Sequence, residues 1–359
     1  MPPSVVLVTG VSRFLGGHLA ARLAANPDID RVLGVDTVPP SREMLRRMGR
    51  AEFVRADIRN PLITKVISRA SVDTVVHASL SANPAGSGGR AAMKEMNVIG
   101  TMQLLAACQK ATSVRRMVFK STTAVYGSSP RDPALFDETM APKDLPPGGY
   151  AKDAVEVEGY LRGFARRRPD VSVTVLRFAN FIGAGIDTVF TRYFALPIVP
   201  TVLGYDARVQ LLHEEDALAV LERATSEEIP GVFNVAADGV LLLSQAIRRA
   251  GRLPLPVPSP AVGPVSRIFR GARIVDFSPE QMRLLNFGRV VDNTRLRRQF
   301  GFTPRWTTMQ AFDDFVRGAA LRPVVPPERV EALERLLLDR GIAAGRQADR
   351  LRSAVGMSR

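Results

Sequence analysis

The sequence predicts an α/β fold, a doubly wound parallel sheet with a smaller mixed lobe toward the C-terminus. Three observations lead there. β-Branched runs alternate with helix-period segments through residues 5–178. The strands read as near-continuous apolar runs, the pattern of a sheet covered on both faces. The first strand ends in a glycine turn that opens a helix, and a carboxylate closes the second strand.

The elements follow in order. "VVLVT" (5–9) is the first strand, with a helical pattern over 14–25. "RVLGVD" (31–36), "AEFVRADI" (51–58) and "VDTVVHAS" (72–79) supply the next three strands. Val98, Thr101, Leu104, Leu105 and Cys108 recur at helical spacing within a helix over 97–110. "RRMVFKST" (115–122) is the fifth strand, a helix over 151–167 follows, and "VSVTVLRF" (171–178) is the sixth. A first, sheet-bearing domain is therefore expected over 1–178. After Phe178 the alternation weakens and proline becomes frequent, so a smaller second lobe is expected over 179–320, with a strand near 232–236 returning to the main sheet. Residues 321–359 read as an amphipathic helix, with Val330, Leu333, Leu336 and Leu337 on one stripe, and a basic tail.

Composition bounds the function. The 359 residues carry a formal charge of +14, but the basic residues are spread along the chain. Arg166, Arg167 and Arg168 form a short run with no interleaved aromatics, so no base-stacking surface and no nucleic-acid partner are expected. No run approaches the roughly 20 apolar residues of a membrane span. The N-terminus has no basic region ahead of its short apolar run, which reads as a strand and not a signal peptide. The lone Cys108, in an apolar run, fits a small core residue in a reducing cytoplasm. Peripheral membrane contact through the C-terminal helix and a homodimer both stay open.

"VLVTGVSRFLGGHL" is a strand, a glycine turn and a helix start. Gly10 and Gly16 let the backbone approach a pyrophosphate at the positive end of the helix. Asp36 follows at the spacing of a carboxylate that grips the adenosine ribose. This is a Rossmann-type dinucleotide site.

Further motifs stand in order: Asp57-Ile58, "HAS" at 77–79, "NVIGT" at 97–101, "STTAVYG" closing the fifth strand, Tyr150 with Glu158 eight residues on, "LRFANFIG" with Arg177 and Asn180, "LLHEEDA" and "FNVA". With these the chain resembles the extended short-chain dehydrogenase/reductases, the NAD-dependent epimerase/dehydratase group. It is most similar to UDP-glucose 4-epimerase-like proteins, over about residues 5–315. The resemblance implies NAD held by Thr9, Gly10, Arg13, Phe14, Leu15, Gly16, Asp36, Asp57, Ile58, His77, Ala78, Asn97 and Tyr150. It implies a small-molecule substrate, a sugar nucleotide, beside Thr122 and Asn180, and no metal; Arg192 can serve in place of the phosphate-binding arginine this chain lacks. Tyr150 is the base and Thr122 the hydroxyl that bonds the same substrate oxygen.

Three positions depart from the family. Ala154 stands where the lysine four residues after the tyrosine belongs. Lys152 is about 200° around the helix from Tyr150 and points elsewhere. Lys120, two residues before Thr122, shares its strand face and can deliver the missing ammonium, or it is a strand-edge lysine reaching solvent. Arg13 replaces the middle glycine of the turn; beside a 2′-phosphate it would suit NADP, whereas Asp36 favours NAD. Val209 holds the place of a phosphate-binding arginine, with Arg208 one residue off and so on the opposite face. The glycine-rich loop 81–89 can close over a substrate. Three readings follow: a nucleotide-sugar enzyme, a reductase of an apolar alcohol or ketone, and a non-catalytic dinucleotide sensor.

Overall fold

The computed structural model describes residues 3–80, 82, 89–142, 149–258 and 279–324. The C-terminal amphipathic helix and tail lie outside the described residues, as does most of the 81–89 loop.

Six strands, β1 (Val5–Thr9), β2 (Arg31–Asp36), β3 (Glu52–Arg55), β4 (Thr74–His77), β5 (Arg116–Thr122) and β6 (Ser172–Phe178), form the main sheet with an edge strand, Gly231–Val235. The order across the sheet is edge strand, β6, β5, β4, β1, β2, β3, with every pair parallel. The edge strand Gly231–Val235 pairs parallel with β6, one residue earlier than the strand expected near 232–236. Strand order reverses between β1 and β4, which opens a crevice above their C-terminal ends. The expected strands over 51–58 and 72–79 are shorter in the structure. Beyond Arg55, for instance, the chain turns, with the Asn60 amide donating to the Asp57 carbonyl.

Continuous apolar strands place Val6, Leu7, Val8, Met117, Val118 and Phe119 out of solvent. Helix α1 (Phe14–Ala25) adds Leu19 and Leu23 on one side, and the helix Gly149–Arg167 adds Leu161 and Phe164. Cys108 is one more buried apolar group, its thiol pushed up to about 12 by burial. The expected helix over 97–110 is two elements: a π-helical turn, Glu95–Gly100, runs into an α-helix, Thr101–Lys110. Such turns widen a helix locally and recur at functional sites. The tract after Phe178 feeds two cores. Leu218, Leu221, Phe233 and Phe300 pack with the main sheet, while Phe190, Phe194, Leu211, Leu241, Phe312 and Phe315 build a second core.

His77 closes the floor of the crevice. It is 1% exposed, with Nδ1 2.8 Å from Thr9 Oγ1 and Nε2 2.8 Å from Thr101 Oγ1. The Thr101 hydroxyl donates to the Asn97 carbonyl, so the neutral ring donates through Nε2 and accepts at Nδ1. Burial, and then the Lys120 charge, push its pKa down to about 3. The unfolded chain takes up this proton near pH 6.5 and the folded chain only near 3, so stability falls as pH drops between them. The slope from this group is at most about 1.4 kcal/mol per pH unit. Urea titrations of the native protein and His77→Gln at pH 7, 6 and 5 should show the native stability falling more steeply; parallel pH dependences would contradict this account.

Candidate active site

The glycine turn between β1 and α1 is as tight as the sequence requires. Gly10 adopts φ +78°, and a Cβ there would lie 3.0 Å from the Ser79 Cα, across the mouth of the crevice. A Cβ on Gly16 would overlap the Gly10 carbonyl. Helix α1 has no side-chain cap and no acid in its first turn, so no side chain of the helix itself offsets its positive end. This cradle fits a dinucleotide pyrophosphate. Gly16→Ala should therefore weaken NAD binding at least about tenfold by calorimetry. Gly159→Ala, where a new Cβ meets only the end of Arg162 at 3.7 Å, should leave it unchanged.

A cleft of about 950 Å³ extends from the turn toward the second core. Arg13, Phe14, Leu15, Ala78, Lys120, Thr122, Tyr150 and Asn180 all line it, so the structure brings these expected residues together. Asp36 ends β2 with Oδ2 accepting from the Ser12 amide (3.0 Å) and hydroxyl (2.6 Å). Asp57 is clamped by Arg59, whose Nη2 lies 2.7 Å from Oδ2. Ile58 is buried against Gly100. Thr9 and His77 are crevice-floor residues bonded to one another.

Thr122 ends β5 and caps the short 3₁₀ turn Thr123–Tyr126, its Oγ1 accepting from the Ala124 amide at 3.1 Å. Its hydroxyl hydrogen remains able to donate. Tyr150 is the second residue of the helix Gly149–Arg167, half-buried, where the helix N-terminus favours negative charge. Lys152 is exposed, and Ala154 is fully buried in the main core.

Lys120 is no solvent-reaching strand-edge lysine. It is 8% exposed, and its Nζ donates to the Leu80 carbonyl at 2.6 Å and lies 5.7 Å from the Phe181 ring centroid. Burial first, and Arg13 second, push its pKa down to about 7. Arg13 is itself held below the ordinary guanidinium value by burial, with Asp36 and Tyr150 pulling the other way.

Some contacts were not legible in the sequence. Arg90 makes a two-pronged pair with the buried Asp153, both bonds 2.6 Å, and donates to the Gly149 carbonyl at 2.7 Å. Asn97 Nδ2 donates to the same carboxylate at 3.1 Å. The π-turn thus anchors the Tyr150 helix. The one available signal was Asp153 itself, a single helical turn after Tyr150. Arg289 was also missed, and it lines the cleft from the second lobe. Arg192, expected near the substrate, is not among the lining residues; its guanidinium is drawn to Asp187, with both side chains more than half exposed.

A parallel sheet with a glycine cradle at its switch point, and a tyrosine and threonine beside the same cleft, is the architecture of a dinucleotide-binding α/β protein. The chain belongs to the NAD dependent epimerase/dehydratase family, whose model matches residues 6–236. The family is NAD-dependent, and NAD is the cofactor. An uncharacterised protein of Mycobacterium tuberculosis is 56% identical over 332 residues, covering 92% of this chain and 88% of its own. A probable UDP-arabinose 4-epimerase of Oryza sativa subsp. japonica is 28% identical over 188 residues, 50% of this chain and 45% of that one. In fold the chain is similar to a UDP-glucose 4-epimerase from Thermotoga maritima solved with UDP-glucose, with TM-score 0.66 and 20% identity, covering 88% of this chain and 98% of that one. A UDP-glucuronic acid 4-epimerase from Bacillus cereus in complex with NAD gives TM-score 0.66 at 18% identity, covering 88% and 98%. Among the described residues no helix is long and apolar enough to cross a membrane.

Proposed function

We propose that this protein is an NAD-dependent isomerase or oxidoreductase that transiently oxidises a carbinol carbon of a nucleotide sugar in the cytoplasm. The observation that carries the reading is the buried Lys120 side chain in the same cleft as Thr122 and Tyr150. Bound NAD would supply the hydride acceptor. The chain would hold it at Gly10–Gly16, with Asp36 toward the ribose.

Tyr150 takes the proton of the substrate hydroxyl. A free phenol with pKa near 10 is a poor base at neutral pH, and nearby positive charge favours the phenolate. Three sources supply that charge: the helix N-terminus at Gly149, Lys120 in place of the lysine missing at Ala154, and Arg13. Thr122 donates its hydroxyl hydrogen to the same substrate oxygen, while Asn180 bounds the sugar. Arg13 lines the cleft with Tyr150 and Lys120, which supports a role as a cation of the reaction centre over one as a reader of a 2′-phosphate.

The test is conversion of a panel of UDP- and dTDP-sugars by NAD-loaded protein, followed by NMR. A change of configuration or oxidation state at one carbon supports the reading. Firm NAD binding with no turnover, and activity created by Ala154→Lys alone, would establish a disarmed site and the sensor reading in its place.

A further inference from the structure

Ala154 takes the expected cation away from the Tyr150 helix, and the residue before it, Asp153, adds a buried carboxylate. Asp153 is the one acidic residue within four positions of Tyr150 in the sequence. Side chains three residues apart on a helix are neighbours, with Cβ atoms roughly 5–6 Å apart. An uncompensated carboxylate there would oppose loss of the phenol proton. Arg90, on the helix Gly89–Lys94, compensates it. Its Nη1 donates to Asp153 Oδ2 and its Nη2 to Oδ1, both at 2.6 Å, and the Asp153 side chain is 1% exposed. Nη2 also donates to the Gly149 carbonyl at 2.7 Å. Arg90 therefore grips the residue before Tyr150 and the residue three after it, and it lines the cleft beside both Gly149 and Tyr150. Gly149 has φ +72°, a conformation that favours glycine, so the bond to its carbonyl holds the chain at the point where it bends into the helix.

The other ionisable side chains of the cleft wall are Arg13, Lys120, Asp187 and Arg289. On the elements packed against the Tyr150 helix, Lys94, Glu95 and Lys110 are exposed, Glu95 is drawn to Arg59, and Tyr126 is bonded to Arg177. On the helix itself Lys152 is exposed and Glu158 is paired with Arg177.

We propose that Arg90 and Asp153 are positioning residues for Tyr150, a charge pair that fixes the phenol at the cleft wall and cancels the negative charge next to it. This rests on the role given to Tyr150 in the reading above. A bidentate guanidinium–carboxylate pair holds its geometry better than a single contact. The bland alternative is that the pair only braces the helix start.

Ultraviolet difference titration of the full-length NAD-loaded protein against its Tyr150→Phe variant separates the two, because it reads the ionisation of this one phenol without a substrate. Arg90→Gln should move that ionisation about 1 pH unit upward, since Asp153 then faces Tyr150 uncompensated. Asp153→Asn should move it downward by a similar amount, since the guanidinium then stands beside Gly149 unpaired. The double variant should return toward the native value, and Arg90→Lys, which keeps the charge, should stay near it. A brace has no sign: shifts in the same direction from both single variants, or no shift from either, overturn the proposal. Should Asp153→Asn fail to fold, as judged by its melting transition, the Arg90 variants decide. A raised titration in Arg90→Gln with a native-like one in Arg90→Lys supports the proposal, and equal titrations in the two overturn it. With a sugar substrate, kcat of Arg90→Gln should fall about tenfold on the acidic limb, KM should change little, and the limb should move up with the phenol. Opposed shifts in a protein that converts no sugar would support this proposal and sink the nucleotide-sugar reading. Sugar turnover with a Tyr150 titration indifferent to both residues sinks this proposal alone.

Discussion

Lys120→Met should cut turnover about 100-fold or more, the loss expected of a damaged acid–base catalyst. The charge that favours the Tyr150 phenolate would be gone, so the acidic limb of the pH–rate profile should move to higher pH. A companion measurement comes from stability. The Lys120 pKa is depressed to about 7 when folded, against an ordinary 10.4 when unfolded. Between these values the unfolded chain binds more protons. The penalty for burying this lysine is therefore full below pH 7 and is relieved as pH rises toward 10.4. Lys120→Met should accordingly gain stability over the native protein at pH 6, with the advantage shrinking by pH 9.5, while activity falls. That combination is the mark of a group kept for function at the expense of stability. Ala154→Lys, added to Lys120→Met, should partly restore turnover, since it returns one cation to the buried region between β5 and the Tyr150 helix. In the native background it would add a second cation there and destabilise the fold. Unchanged activity in Lys120→Met would falsify the role given to Lys120.

The largest stability effect should come from Glu158 and Arg177. Arg177 Nη2 lies 2.7 Å from Glu158 Oε2, with the side chains 10% and 5% exposed. Ser121 donates to Glu158 at 2.6 Å, and Arg177 donates to the Tyr126 hydroxyl, which donates to Asn234. Burial opposes the Arg177 charge, yet Glu158 and Tyr126 more than offset it and hold the guanidinium above its ordinary pKa. Removing Glu158 strands the Arg177 charge in the interior, and removing Arg177 leaves Glu158, among the described residues, only the exposed Arg162 at 3.9 Å as a charged partner. Glu158→Leu or Arg177→Met should each cost about 3–5 kcal/mol in urea denaturation, and the double variant should recover much of that loss. Single-variant losses below about 1 kcal/mol, the range of exposed pairs, would show that water reaches the pair.

Much of this was legible in the sequence because the signals were local. β1, β2 and α1 occupy the residues expected of them, since a β-branched run, a glycine turn and a helical stripe each act within a dozen neighbours. Glu158 eight residues after Tyr150 placed Ala154 at the lysine position, and strand parity put Lys120 on the face of Thr122. The fate of the charges was less accessible. Arg192 looked as well suited to an anion as Arg289, and in one dimension nothing separates them. Arg192 meets Asp187 five residues away, whereas Arg289 is fastened to Gly127, 162 residues earlier.

By itself, then, the sequence determined the parallel sheet, the dinucleotide cradle, the family and the missing lysine. Periodicity, glycine conformation and motif spacing are properties of consecutive residues. Only the tertiary structure decided that Lys120 is buried with Leu80 as its hydrogen-bond acceptor, that Arg90 and Asn97 brace the Tyr150 helix through Asp153, and that Arg289 faces the cleft beside Val209. The charge state of a side chain and the group it meets are set by desolvation and by partners within a few ångströms. Those partners come from strands and turns tens of residues apart, which adjoin only when the sheet has assembled.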